Sequence, residues 1–308
     1  MAVVTRFAPS PTGPLHLGHA YAAILAHDLA RAEGGHFMLR IEDIDQSRCR
    51  PVWEAQIYDD LRWLGLQWEE PVLRQSDRLA VYQAALDRLW RAGLLYPCTC
   101  SRRDISEAAS APQEAAAPLP GPNGLIYPGT CRSRTVERRT FPEAGSRPRD
   151  AVLRLDMALA TGFPQVFDHR IDPAAGGWQN FAGFRETGLP GYGAGRLVGV
   201  TSDEMIHGVG DIVLARREMG TSYHLSVVLD DAAQAITHVT RGEDLFEATR
   251  LHVVLQRLLG LPTPIYHHHR LIRDSVGRRL AKRDDARSLS TYRAEGTTPA
   301  DIRLMLGL

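Results

Sequence analysis

The stretch Arg6-Phe7-Ala8-Pro9-Ser10-Pro11-Thr12-Gly13-Pro14-Leu15-His16-Leu17-Gly18-His19 decides how this chain is read. Val3 and Val4 before it are apolar and β-branched, and Ala20-Tyr21-Ala22-Ala23-Ile24-Leu25-Ala26 follows it. The pattern predicts a strand, a tight Pro/Gly loop and a helix. His16 and His19 then stand on one face at the start of that helix. Free backbone N–H groups and the positive end of the helix dipole favour an anion there, which outlines a phosphate site. Taken alone, an HxxH in an ordinary Pro/Gly loop with half-buried histidines accounts for the pattern as well.

Arg6 to Gly13 followed by His16-Leu17-Gly18-His19 resembles the first signature of the class I aminoacyl-tRNA synthetases, in their glutamyl and glutaminyl branch, with Leu17 in place of the usual isoleucine. The resemblance implies an α/β fold, a Rossmann-type doubly wound parallel sheet, which activates an amino acid with ATP as an aminoacyl adenylate. It also implies that His16, Gly18 and His19 hold ATP with Mg2+ as counter-ion, and that Arg6, Phe7, Ala8, Pro9 and Ser10 border a glutamate pocket.

Length and composition agree with such a body. The 308 residues, 44% hydrophobic, suffice for one large or two smaller domains with a substantial core. The N-terminus lacks a signal peptide and no stretch approaches a membrane span, so a cytoplasmic protein without a membrane partner is expected. A formal net charge of zero gives no global field toward nucleic acid, although a local patch still can. Among 36 basic residues Lys282 is the single lysine. It is either a chance survivor of an arginine-rich composition or a position that needs a compact ammonium.

Along the chain, Gly34-Gly35 closes the first helix, and His36 to Ile41 alternates as a strand ending in Glu42-Asp43-Ile44-Asp45. Acids at a strand's carboxyl end stand where open α/β sheets bind ligands, or are solvated loop acids. Leu39-Arg40-Ile41-Glu42-Asp43 resembles the second strand of the glutamyl branch, which implies that Glu42 meets the substrate ammonium. Helices are predicted from about Pro51 to Leu64, and from about Asp77 to Ala92 behind a Ser76 cap. Leu79, Tyr82, Leu86, Leu89 and Trp90 recur at helical spacing as core, and Cys49 is expected to be a small core residue.

Cys98-Thr99-Cys100 and Tyr127-Pro128-Gly129-Thr130-Cys131 flank an Ala/Pro-rich tract, Ser106 to Gly124, too poor in large apolar groups to form a core. That tract is expected to be a mobile surface loop. Its ends are held either by a structural zinc on thiolates or merely by buried reduced cysteines, since a cytoplasmic disulfide is disfavoured. Three thiolates leave one zinc position open. The CxC…YxxxC spacing resembles that of the glutamyl-queuosine tRNA(Asp) synthetases, which implies Zn2+ on Cys98, Cys100 and Cys131 with the Tyr127 phenolate as fourth ligand.

Six arginines from Arg132 to Arg149 face only Glu137 and Glu143, a solvated face or a grip on RNA phosphate. Residues 172–203 are glycine-rich without periodicity and look like an insertion of unread role. Ser222 to Asp231 reads as a buried segment ending at paired acids, and Ala235 to Asp244 as a strand ending at a charged turn. Both resemble the catalytic half of the glutamyl branch. That match implies that Tyr223 lines the pocket and Arg241 receives the glutamate side-chain carboxylate; in isolation Arg241 reads as a surface arginine. Tyr266-His267-His268-His269 alternates faces along a strand, so no metal is expected there. Gly277 to Arg283 occupies the place of the second class I signature and keeps only Lys282, which implies charge neutralisation on the ATP phosphates.

The organisation expected is 1–95 as the first half of the catalytic domain, 96–139 as a zinc-binding insertion, 140–260 as the second half including 172–203, and 261–308 as a signature loop and helical end. With only Asp284 to Leu308 beyond the second signature, no anticodon-reading domain is expected. The substrates implied are L-glutamate, ATP and tRNA(Asp) carrying queuosine, with no obligate protein partner. A truncated conventional glutamyl-tRNA synthetase and a non-catalytic RNA-binding paralogue are the alternatives.

Overall fold

The computed structural model describes residues 2–110, 120–121, 124–132, 146–162, 166, 182–190, 195–273 and 287–308. Three parallel strands, β1 (Val4–Phe7), β2 (His36–Ile41) and β3 (Glu69–Arg74), are connected by helices α1 (Leu17–Ala32) and α2 (Pro51–Trp63). The α1 helix ends because Gly34 takes φ 61°, and Gly35 leaves room for the chain to turn back. A Cβ on Gly35 would lie 1.9 Å from the Val3 carbonyl oxygen, which accepts His36 N at 2.8 Å to start the next strand. Only glycine fits at that approach.

Further along are α3 (Leu79–Arg91), β4 (Leu95–Cys98), α4 (Arg102–Ser110), and a two-residue-per-strand hairpin of β5 (Pro120–Gly121) and β6 (Gly124–Leu125). These are followed by β7 (Val152–Leu155), α5 (Met157–Gly162), β8 (Gly183–Glu186), β9 (Arg196–Gly199) and β10 (Val213–Ala215). The chain closes with α6 (Tyr223–Ala233), β11 (His238–Gly242), α7 (Phe246–Leu259), β12 (Ile265–His269), α8 (Leu289–Ala294) and α9 (Pro299–Leu306). One sheet is mixed: β11, β12 and β8 pair in parallel and β9 adds antiparallel to β8. Another, β10-β7-β4, is antiparallel.

The first sheet meets the mixed one edge to edge. Thr237 N donates to Val4 O at 2.9 Å, Val4 N donates to Thr237 Oγ1 at 2.8 Å, and further along Arg6 Nη1 donates to Thr240 O at 3.1 Å. Since Val4 meets Thr237 and Arg6 meets Thr240, β1 and β11 run in the same direction. The carboxyl ends of β1, β2 and β11 therefore open on one cleft. An apolar core under β1 and β2 joins Ala20, Ile24, Leu39 and Ile57 to Leu289 and Ile302 of the terminal helices; a second gathers Leu86, Leu155, Leu214, Leu225 and Leu255.

Several expectations shift. A 3₁₀ turn at Gln75–Arg78 precedes α3, and Ser76 does not cap the helix: its N and Oγ donate to Asp43 at 2.8 and 2.7 Å, fastening the turn to the acidic end of β2. Tyr82, Leu86 and Leu89 are buried, while Leu79, on the helix's first residue, stays 42% exposed because the buried stripe begins one turn further in. Cys49 is half-buried in the surface turn before α2, not a core residue. Ser222 to Asp231 is buried, but as helix α6. Within 172–203 the described residues form the hairpin β8–β9, which extends the mixed sheet beyond β12; Trp178, Phe181 and Tyr192 lie outside the described residues. Arg147 and Arg149 reach α3, where they bind Asp87 at 2.7 and 3.3 Å and Gln83 at 2.5 and 2.8 Å; Arg147 is buried there and structural, whereas Arg149 stays exposed. Arg134, Arg138, Arg139 and residues 111–119 lie outside the described residues.

Candidate active site

The loop after β1 is fastened at Pro9, whose carbonyl accepts Glu42 N at 3.0 Å, and at Pro11, which accepts Arg50 N at 3.0 Å. Phe7 and Pro9 are buried, whereas Ala8 and Ser10 are half-buried. His16 is the N-cap of α1, and its Nδ1 accepts Gly18 N at 3.1 Å while its own N donates to His19 Nδ1 at 3.1 Å. This reciprocal cap has imidazoles where a serine and a glutamate are usual. Because both Nδ1 atoms accept, each ring carries its proton on Nε2, and the rings lie 3.7 Å apart. The helix start thus presents imidazole donors beside its dipole. A Cβ on Gly18 would sit 3.0 Å from His16 Cε1 and push that ring away.

Lys282 lies outside the described residues. The chain just after it returns to the first signature, where Leu289 N donates to Leu15 O at 2.8 Å and Ser288 bridges His16.

Beneath the cleft is a charged network that motif reading did not find. Asp231 Oδ1 accepts Arg6 Nε at 3.0 Å and Arg40 Nη1 at 2.8 Å; Arg40 also donates to Gln234 Oε1 at 3.0 Å and Glu42 Oε1 at 3.2 Å. Arg40 is wholly buried. An arginine flanked by Leu39 and Ile41, and the paired acids that end the 222–231 segment, are its signals in the sequence. Burial pushes the Asp231 carboxyl up, but Arg6 and Arg40 outweigh it and hold it low; for Glu42 burial wins and its carboxyl is raised despite Arg40. The paired acids point apart, since Asp230 accepts Arg78 Nε at 2.7 Å, Gln75 Nε2 at 2.8 Å and Tyr82 OH at 2.7 Å on the α3 side.

Arg241, on β11 and 6% exposed, is buried rather than a surface group. Its Nη2 donates to Tyr223 OH at 2.6 Å and its Nη1 to His252 Nδ1 at 3.0 Å and, more weakly, to Thr249 Oγ1 at 3.4 Å. Its Nε is a buried donor without a partner among the described residues. Tyr223 and Arg241 are therefore brought together, and Arg6 reaches the same strand end through Thr240. An orphaned buried guanidinium N–H is a donor that a carboxylate would satisfy.

The sequence matches the family of tRNA synthetases class I (E and Q), catalytic domain, over residues 2–193 and 196–308. The chain belongs to that family. It is 62% identical to the glutamyl-Q tRNA(Asp) synthetase of Rhodobacter capsulatus over 309 residues, covering 99% of this chain and 100% of the relative. Its identity to the glutamyl-Q tRNA(Asp) synthetase of Nocardia farcinica is 39%, covering 98% and 82%. The fold resembles a glutamate tRNA ligase from Elizabethkingia meningosepticum, solved with its amino acid, with a TM-score of 0.64, 25% identity and 92% of this chain covered. The chain spans about half of that enzyme, 53% of its length.

In this synthetase the sulfur cluster forms between β4 and the turn at Gly129–Arg132. The Sγ atoms of Cys98, Cys100 and Cys131 lie within 4.8 Å of one another and can hold a metal ion. Cys100 Sγ is 3.4 Å from Cys131 Sγ, and Tyr127 OH is 3.6 Å from Cys98 Sγ and 3.4 Å from Cys100 Sγ. Burial raises the Cys131 thiol, yet hydrogen bonds from Tyr127, Thr99 and Cys100 outweigh it and bring the group down to about 6. The Arg154 guanidinium lies 3.8 Å over the Tyr127 ring. Elsewhere, His268 pairs with the buried Glu186 of β8 and with Thr249, which fixes it in the packing between β8, β12 and α7. Among the described residues no helix is long and apolar enough to cross a membrane.

Proposed function

We propose that this synthetase activates L-glutamate with ATP as glutamyl adenylate and transfers the glutamyl group to queuosine in the anticodon of tRNA(Asp). The single observation that carries the amino-acid assignment is Arg241, a buried cation with an orphaned N–H beside Tyr223. Its fork matches the side-chain carboxylate of glutamate and loses that match with a neutral amide. The queuosine assignment rests on the names of the curated relatives. In the first step an oxygen of the glutamate α-carboxylate attacks the α-phosphorus and the bond to pyrophosphate breaks. His16 and His19 donate to the phosphates through Nε2, Gly18 lets them approach the helix start, and Lys282 neutralises charge as it develops. Glu42 takes the ammonium, which relieves the carboxylate that burial disfavours. Arg6 reaches into the pocket from the β1 end, and the backbone of Phe7, Ala8, Pro9 and Ser10 lines its rim. Magnesium supplies counter-charge on the phosphates. In the second step a cyclopentene hydroxyl of queuosine attacks the activated carbonyl and releases AMP.

The same reading takes the six co-directional strands as one Rossmann-type doubly wound sheet, supported by the β1–β11 contacts. It divides the chain at 1–95, 96–139, 140–260 and 261–308, and it takes the metal as zinc. Four tetrahedral ligands at a Zn–S distance of ~2.3 Å stand about 3.8 Å apart, close to the spacing of the three sulfurs and the Tyr127 oxygen. With zinc bound, Cys98, Cys100, Tyr127 and Cys131 close the base of the insertion. Purified protein is expected to carry about one equivalent of zinc, and Cys100→Ala to lose it and loosen residues 96–139. Stoichiometric zinc persisting in a Cys98→Ser/Cys100→Ser/Cys131→Ser variant rules the site out.

The function is tested with labelled glutamate on tRNA pools with and without queuosine, each with its terminal adenosine intact or enzymatically removed. Label is expected only on queuosine-bearing tRNA(Asp), and independently of the 3′ adenosine. Labelling that needs the 3′ end and ignores queuosine points instead to a conventional glutamyl-tRNA synthetase. Absence of both labelling and glutamate-dependent pyrophosphate exchange points to a non-catalytic paralogue.

A further inference from the structure

The three arginines of the cleft are held in two different ways. Arg6 and Arg40 both share the Asp231 carboxylate. Arg241 is held only by neutral acceptors among the described residues: a phenol, a threonine hydroxyl and the imidazole of His252. A buried guanidinium usually recruits a carboxylate, because an uncompensated charge in low dielectric is costly. Here its place is taken by a histidine, 2% exposed, on α7.

The tautomers follow from the donors. Arginine can only donate, so His252 Nδ1 carries a lone pair and its proton sits on Nε2. That Nε2–H faces His224 Nδ1 at 3.1 Å, which must accept in turn. Both imidazoles are neutral in this arrangement. Burial, reinforced by the charge on Arg241, pushes both down, His224 to about 4 and His252 well below the usual range.

We propose that His252, backed by His224, is a positioning residue for glutamate selection: a neutral ladder that orients Arg241 without giving it a counter-charge. The proposal rests on the reading that Arg241 receives the glutamate side chain. Its physical content is that the cost of an uncompensated cation is recovered only when the ligand brings its own negative charge. Glutamate does so; glutamine leaves the cation as it was. A carboxylate at position 252 would satisfy Arg241 before the substrate arrives and flatten that difference.

The test uses the full chain in amino-acid-dependent ATP–pyrophosphate exchange, with glutamate and glutamine each titrated. His252→Glu is expected to raise the KM for glutamate about tenfold or more, leave its kcat and the KM for ATP within about threefold, and lower glutamate-over-glutamine selectivity accordingly. His252→Leu, which removes the acceptor, is expected to weaken glutamate binding, and His252→Gln, which restores one, to recover most of it. If His252→Glu does not fold, the wild-type protein still decides. Its imidazole 15N spectrum at pH 7, assigned with His252→Gln, is expected to show His252 as the neutral Nε2–H tautomer; an imidazolium or an Nδ1–H tautomer overturns the proposal. Unchanged glutamate activation in Arg241→Gln overturns the pocket reading and this proposal with it. Impaired Arg241→Gln beside wild-type selectivity in His252→Glu overturns this proposal alone, as does an equal loss for glutamate, glutamine and ATP, which marks His252 as a packing residue.

Discussion

Asp231→Ala is expected to destabilise the protein by about 3–5 kcal/mol, because truncating one member of a buried ion network strands the others. Arg40 has no solvent to turn to, and its remaining partners are Glu42 at 3.2 Å and Gln234 at 3.0 Å. Among the described residues Arg6 would keep only its bond to Thr240 O at 3.1 Å. A drop of roughly 5–10 °C in thermal midpoint is expected by scanning calorimetry, and a shift below about 2 °C contradicts this account of the network. The loss has a pH signature. The folded Asp231 carboxyl is held below its ordinary value of 3.8, so the stability it contributes is complete above that pH and is lost as pH falls through the depressed folded value. Asp231→Ala is therefore expected to narrow its gap from wild type in strong acid, and a constant gap down to that range would oppose the assignment.

Arg241→Gln is expected to lower kcat/KM for glutamate activation by at least about tenfold, since a charge-assisted bond in a buried site is worth roughly 1.5–3 kcal/mol. The loss should fall mainly on the KM for glutamate, because the side-chain carboxylate is bound alike before and during adenylate formation. ATP affinity should change little, as the proposed nucleotide donors, His16 and His19, sit at the start of α1 and not on β11. Pyrophosphate exchange at varied glutamate and fixed saturating ATP measures this. An effect confined to kcat, with the glutamate KM unmoved, would place Arg241 at the reacting phosphate instead of the side-chain end of the pocket. Because the substitution also removes donors from Tyr223, Thr249 and His252, a thermal melt run alongside separates lost binding from lost packing.

The sequence by itself determined what is local. The strand–loop–helix at Arg6–His19, the glycine that ends α1, and the convergence of cysteines around Tyr127 were legible because capping, turn and ligand chemistry act across a few residues. Family membership was legible for the same reason, since it rests on short contiguous signatures. Helix α6 was legible as buried but not as a helix, because an apolar run cut from both faces carries no period. Which partner each arginine takes was decided only by packing. Arg6 and Asp231 are 225 residues apart in the chain, Arg40 and Asp231 are 191 apart, and no periodicity links such pairs. The neutral setting of Arg241 likewise needs Tyr223 from α6 and His252 from α7. A side chain's charge balance depends on which elements close over it and exclude water, and that is a property of the assembled sheets and helices rather than of any stretch of chain.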